Sequence, residues 1–209
     1  MCTSMDRETF DGLGEDVHVG ESPALLLVDI QNGMTDPDHP VGAEMDDMID
    51  ANNRLIGAAR SADVPIVFTI LSYDHPDDTG GPFQEKAPEL RSFSAESRWT
   101  NLDPRIDRRD ADIVIDTKRH QSAFFGTDLD YKLRNLGVDT LVVTGCSTSG
   151  CVRATVTDAS AHGYRPFVPR EAVADRSERQ HEANLVDMDL KLANVVSLEE
   201  IIDELDSVD

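Results

Sequence analysis

Short apolar runs recur along this chain, and a longer amphipathic stretch follows most of them. The first run, residues 23–29, has no polar side chain before Asp29, which is typical of a strand buried on both faces of a parallel sheet. Similar runs cover 64–71, 112–116, 140–143, 165–169 and 194–197. Because strands that alternate with helices form parallel sheets through right-handed crossovers, the pattern predicts an α/β fold. We expect a single-domain, doubly wound (Rossmann-like), mostly parallel six-stranded sheet with helices on both faces.

The division of the chain follows from the same pattern. Residues 1–22 have the character of an irregular N-terminal extension, and 23–209 that of one domain of ordinary size. Within the domain, 72–110 is rich in proline, glycine, aspartate and serine and is too long for an ordinary connection, so we expect a lid-like functional loop. Amphipathic patterns predict helices at about 44–62, 128–135, 152–162, 178–192 and 198–205.

Charge is the strongest compositional signal. The chain has 41 acidic and 19 basic residues, a net charge of −22, and the acidic residues are scattered along its whole length. A dispersed acidic surface is typical of adaptation to high salt, where repulsion among carboxylates is screened. The alternative, a docking face for a basic partner, predicts clustering that the sequence lacks. With no basic stripe, nucleic acid is not an expected partner.

Targeting signals are missing from the sequence. No apolar run reaches the length of a transmembrane helix, and the first ten residues lack the cationic and apolar pattern of a signal peptide. The three cysteines are too few for a disulfide framework, although a bridge between Cys146 and Cys151 is conceivable. We therefore expect a cytoplasmic protein of a salt-adapted organism, with no membrane partner.

One stretch, TLVVTGCSTSGCV at 140–152, combines a buried strand with a reactive side chain. The strand is predicted to break at Gly145, and Cys151 is predicted at the head of the next helix. A thiol there lies near unpaired N–H groups and the positive end of the helix dipole, which favours the thiolate and so a nucleophile. The alternative is that Cys151 is a small buried hydrophobic residue. The stretch alone leaves both readings open.

Three reactive residues follow three different predicted strands. They are Asp29, Lys118 and Cys151, and each has an ordinary explanation as a turn, surface or packing residue. Ligands bind beyond the carboxyl ends of strands in such sheets, so their shared location favours a site. Asp29 is suited to exchange a proton with the thiol, Lys118 to stabilise both anions, and the 146–150 turn to aim backbone N–H groups at an oxyanion. This combination indicates acyl transfer to water.

The order of these residues also resembles a known family. Together with LLVDIQ at 26–31 and GCSTSGCV at 145–152, it is similar to the isochorismatase-like cysteine hydrolase superfamily over about 20–205. The segments 122–127, 145–155 and 181–185 most resemble the N-carbamoylsarcosine amidases and maleamate amidases of that superfamily.

This resemblance implies site residues and assembly. It implies a triad of Asp29, Lys118 and Cys151, a cis peptide bond between Cys146 and Ser147, and oxyanion donors at the backbone N–H groups of Ser147 and Cys151. Cys146 is then a scaffold residue. It also implies a homo-oligomer, either a dimer or a tetramer.

Departures from the superfamily narrow the chemistry. Nicotinamidases place a metal with an Asp-x-His motif, whereas here Asp74 and His75 are adjacent, so we expect no catalytic metal and no cofactor. Isochorismatases proper lack the nucleophilic cysteine, so Cys151 favours hydrolysis of a C–N bond over hydrolysis of a vinyl ether.

The expected partner is a small molecule with a carboxylate and a terminal amide or ureido group. Arg176 is the candidate clamp for the carboxylate, with a surface ion pair as the alternative. Gln121 is a further candidate, and Phe125 is a candidate apolar wall, with core packing as the alternative. The predicted function is a cysteine amidohydrolase that releases ammonia through a thioester-type intermediate. The alternatives are an isochorismatase-type hydrolase of another bond and a non-catalytic binding protein.

Overall fold

The computed structural model describes residues 12–74 and 81–207 and contains a parallel sheet between two helical layers. Its strands are β1 Pro23–Val28, β2 Ile66–Leu71, β3 Ile113–Lys118, β4 Thr140–Cys146, β5 Arg165–Pro169, β6 Val173–Ala174 and β7 Asn194–Val196. Its α-helices are α1 Asn32–Thr35, α2 Asp46–Ser61, α3 Pro82–Lys86, α4 Leu129–Asn135, α5 Arg153–Ala161, α6 Glu178–Lys191 and α7 Leu198–Asp206. In these residues no helix is long and apolar enough to cross a membrane.

The sheet confirms the doubly wound topology. Its strands lie in the order β3-β2-β1-β4-β5-β7, β6 pairs with β4, and every pair is parallel. The sheet has seven strands instead of six because Val173–Ala174 adds to the end of β4. A two-residue strand is too short to produce an apolar run, so the sequence gives no signal for it.

Both faces of the sheet are covered, which explains the apolar runs. In β1, Leu25 and Leu27 pack towards one side and Leu26 towards the other, as alternation along a strand requires. Side chains of α2 and α7 belong to the first side, and those of α4, α5 and α6 to the second. The order of strands reverses between β1 and β4, so the switch point of the topology lies between these two strands.

The central pair of strands depends on one glycine. The prediction that β4 breaks at Gly145 was wrong, because the strand continues to Cys146 and Gly145 pairs with Val28 of β1. Gly145 has φ +97°, and a Cβ there would lie 2.1 Å from the carbonyl oxygen of Val28. Only glycine lets the two strands approach this closely at a left-handed backbone position.

The described part of 72–110 packs against the domain. It contains α3 and two 3-10 turns, Pro88–Ser92 and Arg98–Thr100. The His39 ring lies 5.0 Å from Phe93 and 4.7 Å from Trp99, and the Gln31 amide donates to the carbonyl oxygens of Leu71 and Trp99. These contacts anchor residues 93–99 beside the end of β1. The lid function stays a prediction.

Candidate active site

Asp29 directly follows β1 and is completely buried. Its backbone is left-handed, with φ +53°, and its N–H donates to the carbonyl oxygen of Thr69 in β2 at 3.2 Å. The Thr69 hydroxyl donates in turn to Oδ1 of Asp29 at 2.7 Å. The neighbouring strand therefore fixes both the backbone and one carboxylate oxygen, and Oδ2 is directed at a second partner.

That partner is Lys118, whose side chain is also fully buried. Its Nζ lies 2.5 Å from Oδ2 of Asp29 and 3.5 Å from Sγ of Cys151. The sequence places Lys118 after the third strand, but it is the last residue of β3, which runs two residues further than predicted. The ammonium group bridges the two other candidate residues, so the structure brings all three together.

Cys151 lies within a π-helical turn, Thr148–Val152, and not at the first turn of α5. The N–H of Val152 donates to the carbonyl oxygen of Ser147, five residues back, at 3.2 Å. The Cys151 side chain is 4 % exposed and packs with the helices of the second side of the sheet. The wider turn leaves the thiol within hydrogen-bonding distance of Lys118, and π turns of this kind are frequent at functional sites.

Burial controls the charge states of the thiol and the lysine. It raises the pKa of the Cys151 thiol to about 12, with Lys118 opposing and Asp29 adding to the shift. Burial lowers the pKa of Lys118, but the negative charge of the Asp29 carboxylate, with the hydrogen bonds to Asp29 and Cys151, outweighs it and holds that pKa above its ordinary value. The expected thiolate at a helix start is therefore not the resting form, because desolvation disfavours the anion. The resting site holds a thiol beside an ammonium.

Cys146 belongs to the support of the site. Its thiol donates to the carbonyl oxygen of Asp29 at 3.3 Å, and burial raises its pKa well above the ordinary value. The peptide bond between Cys146 and Ser147 is cis, at the position that the family resemblance implies. Cys146 and Cys151 are both free thiols, so the conceivable bridge between them is not formed.

The turn before Cys151 is held by one other segment of the chain. Arg176 donates from Nη1 to the Ser147 hydroxyl at 3.0 Å, and Nε donates to the carbonyl oxygen of Val41. None of the carboxylates in the described ranges forms an ion pair with Arg176, so the expected alternative, a surface ion pair, is not found there. Its guanidinium lies beside the residue that precedes the π turn.

Two contacts to the same turn have no counterpart among the sequence candidates. The Thr148 hydroxyl lies 2.9 Å from Nδ1 of His181, and the N–H of Ser149 donates to Oδ2 of Asp175 at 2.7 Å. Thr69 was missed as well, although a polar residue within an apolar run was a signal that could have drawn attention to it.

The remaining candidates lie on the surface after β3. Phe125 is 62 % exposed, with its ring edge-on to His120 at 4.8 Å, and Gln121 is exposed too. None of the hydrogen bonds found among the described residues joins Gln121 to the buried triad. Their role in substrate binding stays a prediction.

No group of three metal-ligating side chains occurs in the described ranges. Asp74 is exposed and pairs with Arg119 at 2.7 Å, whereas His75 lies outside the described residues. A surface cavity of about 850 Å³ lies near Asp74, beside β2 and β3, and its lining includes none of the triad residues. The cavity is therefore separate from the three converging groups.

Comparison with known proteins identifies the family of this chain. The family model described as "Isochorismatase domain" matches residues 23–200. The chain is 36 % identical over 203 residues to N-carbamoylsarcosine amidase of Arthrobacter sp., covering 94 % of this chain and 76 % of that protein. It is 35 % identical over 202 residues to maleamate amidohydrolase of Pseudomonas putida, covering 95 % and 94 % of the two chains.

Solved structures are similar as well. A cysteine hydrolase from Pseudomonas syringae superposes with a TM-score of 0.84 over 90 % of this chain and 93 % of that chain, at 22 % identity, which bears on the fold alone. N-carbamoylsarcosine amidase from Thermoplasma acidophilum superposes with a TM-score of 0.72 at 27 % identity, covering 85 % and 97 %. With its sheet topology, its buried Asp–Lys–Cys cluster and these matches, the chain belongs to the isochorismatase family of hydrolases.

Proposed function

We propose that the protein is a cysteine amidohydrolase, which hydrolyses a terminal amide or ureido C–N bond of a small carboxylated substrate and releases ammonia. The observation that carries the proposal is the position of the Lys118 ammonium, 2.5 Å from the Asp29 carboxylate and 3.5 Å from the Cys151 sulfur, in a fully buried cluster. Two amidases at 36 % and 35 % identity support the choice of bond.

The first half of the reaction forms an acyl-enzyme. Because the resting Cys151 is a thiol, its proton passes to Asp29 as the sulfur attacks the substrate carbonyl carbon. The carbonyl oxygen takes up the electron pair and is stabilised by the backbone N–H groups of Ser147 and Cys151. The C–N bond then breaks, the proton on Asp29 moves to the leaving nitrogen, and ammonia departs.

The second half consumes water. A water molecule gives a proton to Asp29 while its oxygen attacks the thioester-type carbonyl, and the C–S bond breaks. The proton then returns to the Cys151 sulfur, which restores the resting site. Lys118 stays protonated throughout, consistent with its raised pKa, and stabilises whichever neighbour carries the negative charge.

Arg176 is the proposed clamp for the substrate carboxylate. Its guanidinium hydrogen-bonds with Ser147, beside the proposed oxyanion donors, and no carboxylate of the described chain neutralises it. A guanidinium offers a fork of donors that matches a carboxylate. We expect Arg176→Lys to raise KM for carboxylated amides more than it lowers kcat, since a point charge replaces the fork.

An ammonia-release screen in high salt tests the proposed function, with N-carbamoylsarcosine, maleamate and their uncharged analogues as substrates. We expect turnover of a carboxylated amide or urea, and loss of turnover in Cys151→Ala and Cys151→Ser. The control is Ser160→Ala, an exposed position on α5, which should behave as the wild type. Full activity of Cys151→Ala would reject the triad, and turnover of a vinyl ether with no ammonia from any amide would favour the isochorismatase reaction.

A further inference from the structure

We propose that Asp175 and His181 are positioning residues that hold the turn before Cys151, and thereby aim the backbone N–H groups that receive the oxyanion. The inference rests on the proposed function, because it concerns the geometry of that acyl-transfer step. Neither residue contacts the triad through a hydrogen bond in the described structure, so each acts through the turn.

Three consecutive residues of the turn are each bound by the same short segment. Ser147 receives a hydrogen bond from Arg176, Thr148 shares one with His181, and the N–H of Ser149 donates to Asp175. The three contacts measure 3.0, 2.9 and 2.7 Å. A turn that only had to be stable would not need a separate partner for each of these three consecutive residues.

The short strand β6 explains how Asp175 reaches the turn. Val173 pairs with Gly145 and Ala174 pairs with Cys146, so strands β4 and β6 end side by side. The next residues, Asp175 and Ser147, then lie at the start of the same loop region. Helix α6 begins at Glu178 and brings His181 to the Thr148 hydroxyl.

The turn is also closed from within. The carbonyl oxygen of Ser147 accepts from the N–H groups of both Gly150 and Val152, at 2.9 and 3.2 Å. These internal bonds fix the length of the turn, but its orientation against β1 depends on contacts to other parts of the chain. Asp175 and His181 supply two such contacts, on adjacent residues. Misplacement of a reacting group by about 1 Å is enough to cost roughly a hundredfold in rate.

Substitutions of Asp175 can distinguish a positioning role from an electrostatic one. A carboxylate this close to the turn opposes the developing oxyanion electrostatically, so its negative charge does not help the reaction. Its oxygen, however, holds the Ser149 N–H. Asp175→Asn keeps an oxygen acceptor without the charge, whereas Asp175→Ala removes both. At position 148, Thr148→Ser keeps the hydroxyl that contacts His181, whereas Thr148→Val removes it and keeps the shape of the side chain.

The experiment measures kcat and KM for ammonia release from N-carbamoylsarcosine and maleamate, with thermal unfolding of every variant. We expect Asp175→Ala and Thr148→Val to lower kcat by roughly 10- to 100-fold, as for a misplaced oxyanion donor, with KM changed only a few-fold. Asp175→Asn and Thr148→Ser should keep kcat within a few-fold of the wild type. The control, Glu199→Gln, removes an exposed charge of α7 that pairs with Arg54 of α2, on the other side of the sheet from Cys151, and should leave kcat unchanged.

Wild-type kcat in Asp175→Ala would overturn the positioning role, as would equal losses in Asp175→Asn and Asp175→Ala. If Asp175→Ala does not fold, the pair of Thr148 variants decides, and equal kcat values in Thr148→Val and Thr148→Ser overturn the proposal. An active Cys151→Ala rejects the proposed function itself. An inactive Cys151→Ala together with wild-type kcat in Asp175→Ala rejects only the positioning role.

Discussion

At the scale of single residues, the buried ion pair of Asp29 and Lys118 is the feature at which we expect a single substitution to cost the most stability. Both side chains are 0 % accessible, and Lys118 also faces the Cys151 sulfur. Removing water from two charges costs several kcal/mol for each ion, and only their close approach offsets it. Such a pair is poor evidence of stability by itself, which fits a cluster kept for its chemistry.

Neutralising one member of the pair should destabilise the protein much more than neutralising both. We expect Lys118→Met to lower the free energy of unfolding by about 3–5 kcal/mol, because the Asp29 carboxylate is left buried and unpaired. Asp29→Asn combined with Lys118→Met should recover most of that loss, since no charge remains to be desolvated. Urea unfolding measures both. Neither variant should release ammonia. The account would be contradicted if the double variant lost as much free energy of unfolding as Lys118→Met and Asp29→Asn lose together.

At the scale of elements, the site is a junction of β1 and β4 with the turn that leads into α5. Asp29 leaves β1 in a left-handed conformation, and Gly145 lets β4 stay paired with β1 up to that point. The loop between β2 and β3 is tied to the same region through Asp103. That carboxylate is 4 % exposed and accepts hydrogen bonds from Thr35 of α1 and from Arg105. Two junctions therefore hold the site in place: the pairing of β1 with β4 at Gly145, and the side-chain contacts of Asp103.

Three glycine-to-alanine variants test the first junction. Gly57 lies on α2 with open space around it, so alanine there should stabilise the protein by about 0.5–1 kcal/mol. Gly163 has φ +88° but no neighbour within 4 Å, so its cost should be that of the backbone alone, about 1–2 kcal/mol. Gly145→Ala adds a clash with Val28 and should cost more than Gly163→Ala. Urea unfolding ranks the three, and equal costs at 145 and 163 would show that the clash is relieved.

Acid titration tests the second junction. Burial raises the pKa of Asp103, but hydrogen bonds from Arg105 and Thr35 outweigh it and leave that pKa below its ordinary value of 3.8. A carboxylate with a lowered folded-state pKa adds stability above its unfolded-state pKa, and this is lost as the pH falls through the folded-state value. Unfolding of wild type and Asp103→Asn should therefore differ most near neutral pH and converge below about pH 4. A constant difference across that range would argue against an ionised Asp103.

At the scale of the whole molecule, the net charge of −22 is the dominant property. Many acidic side chains lie exposed on the described surface, and some have local partners, such as Glu199 with Arg54 and Asp107 with Arg60. Exposed pairs of this kind contribute little in water. Repulsion among the remaining carboxylates is long-ranged at low ionic strength, where the Debye length is about 30 Å. Adaptation to high salt and assembly into a homo-oligomer both stay predictions.

Salt dependence is the direct test of the surface charge. We expect the free energy of unfolding, and ammonia release with it, to fall in dilute buffer and to recover in molar KCl, because salt screens the repulsion. A matched variant removes four exposed acidic side chains of α2 and α7, as Asp47→Asn, Asp50→Asn, Asp203→Asn and Glu204→Gln. Its stability should depend less on salt than that of the wild type. Equal stability of the wild type at low and molar salt would refute the salt adaptation.

The sequence by itself determined the sheet and the edge at which the reactive residues meet. Apolar runs reveal buried strands because both faces of the sheet exclude water, and carboxyl ends of parallel strands share one edge. Asp29, Lys118 and Cys151 were therefore recognisable from their shared position after three predicted strands. The structure places Asp29 and Cys151 within hydrogen-bonding distance of Lys118.

Only the tertiary structure decided how that edge is supported and charged. The contacts of Thr69 to Asp29 and of Asp175 to Ser149 join residues 40 and 26 positions apart, and no local pattern encodes them. Strand β6 has two residues and no periodicity, yet it delivers Asp175 to the turn. The protonation of Cys151 also depends on burial by α-helices from distant parts of the chain, which reverses the preference expected from its place near a helix start. Local sequence gives residue types and periodicity, whereas desolvation and long-range hydrogen bonds exist only once the chain is folded.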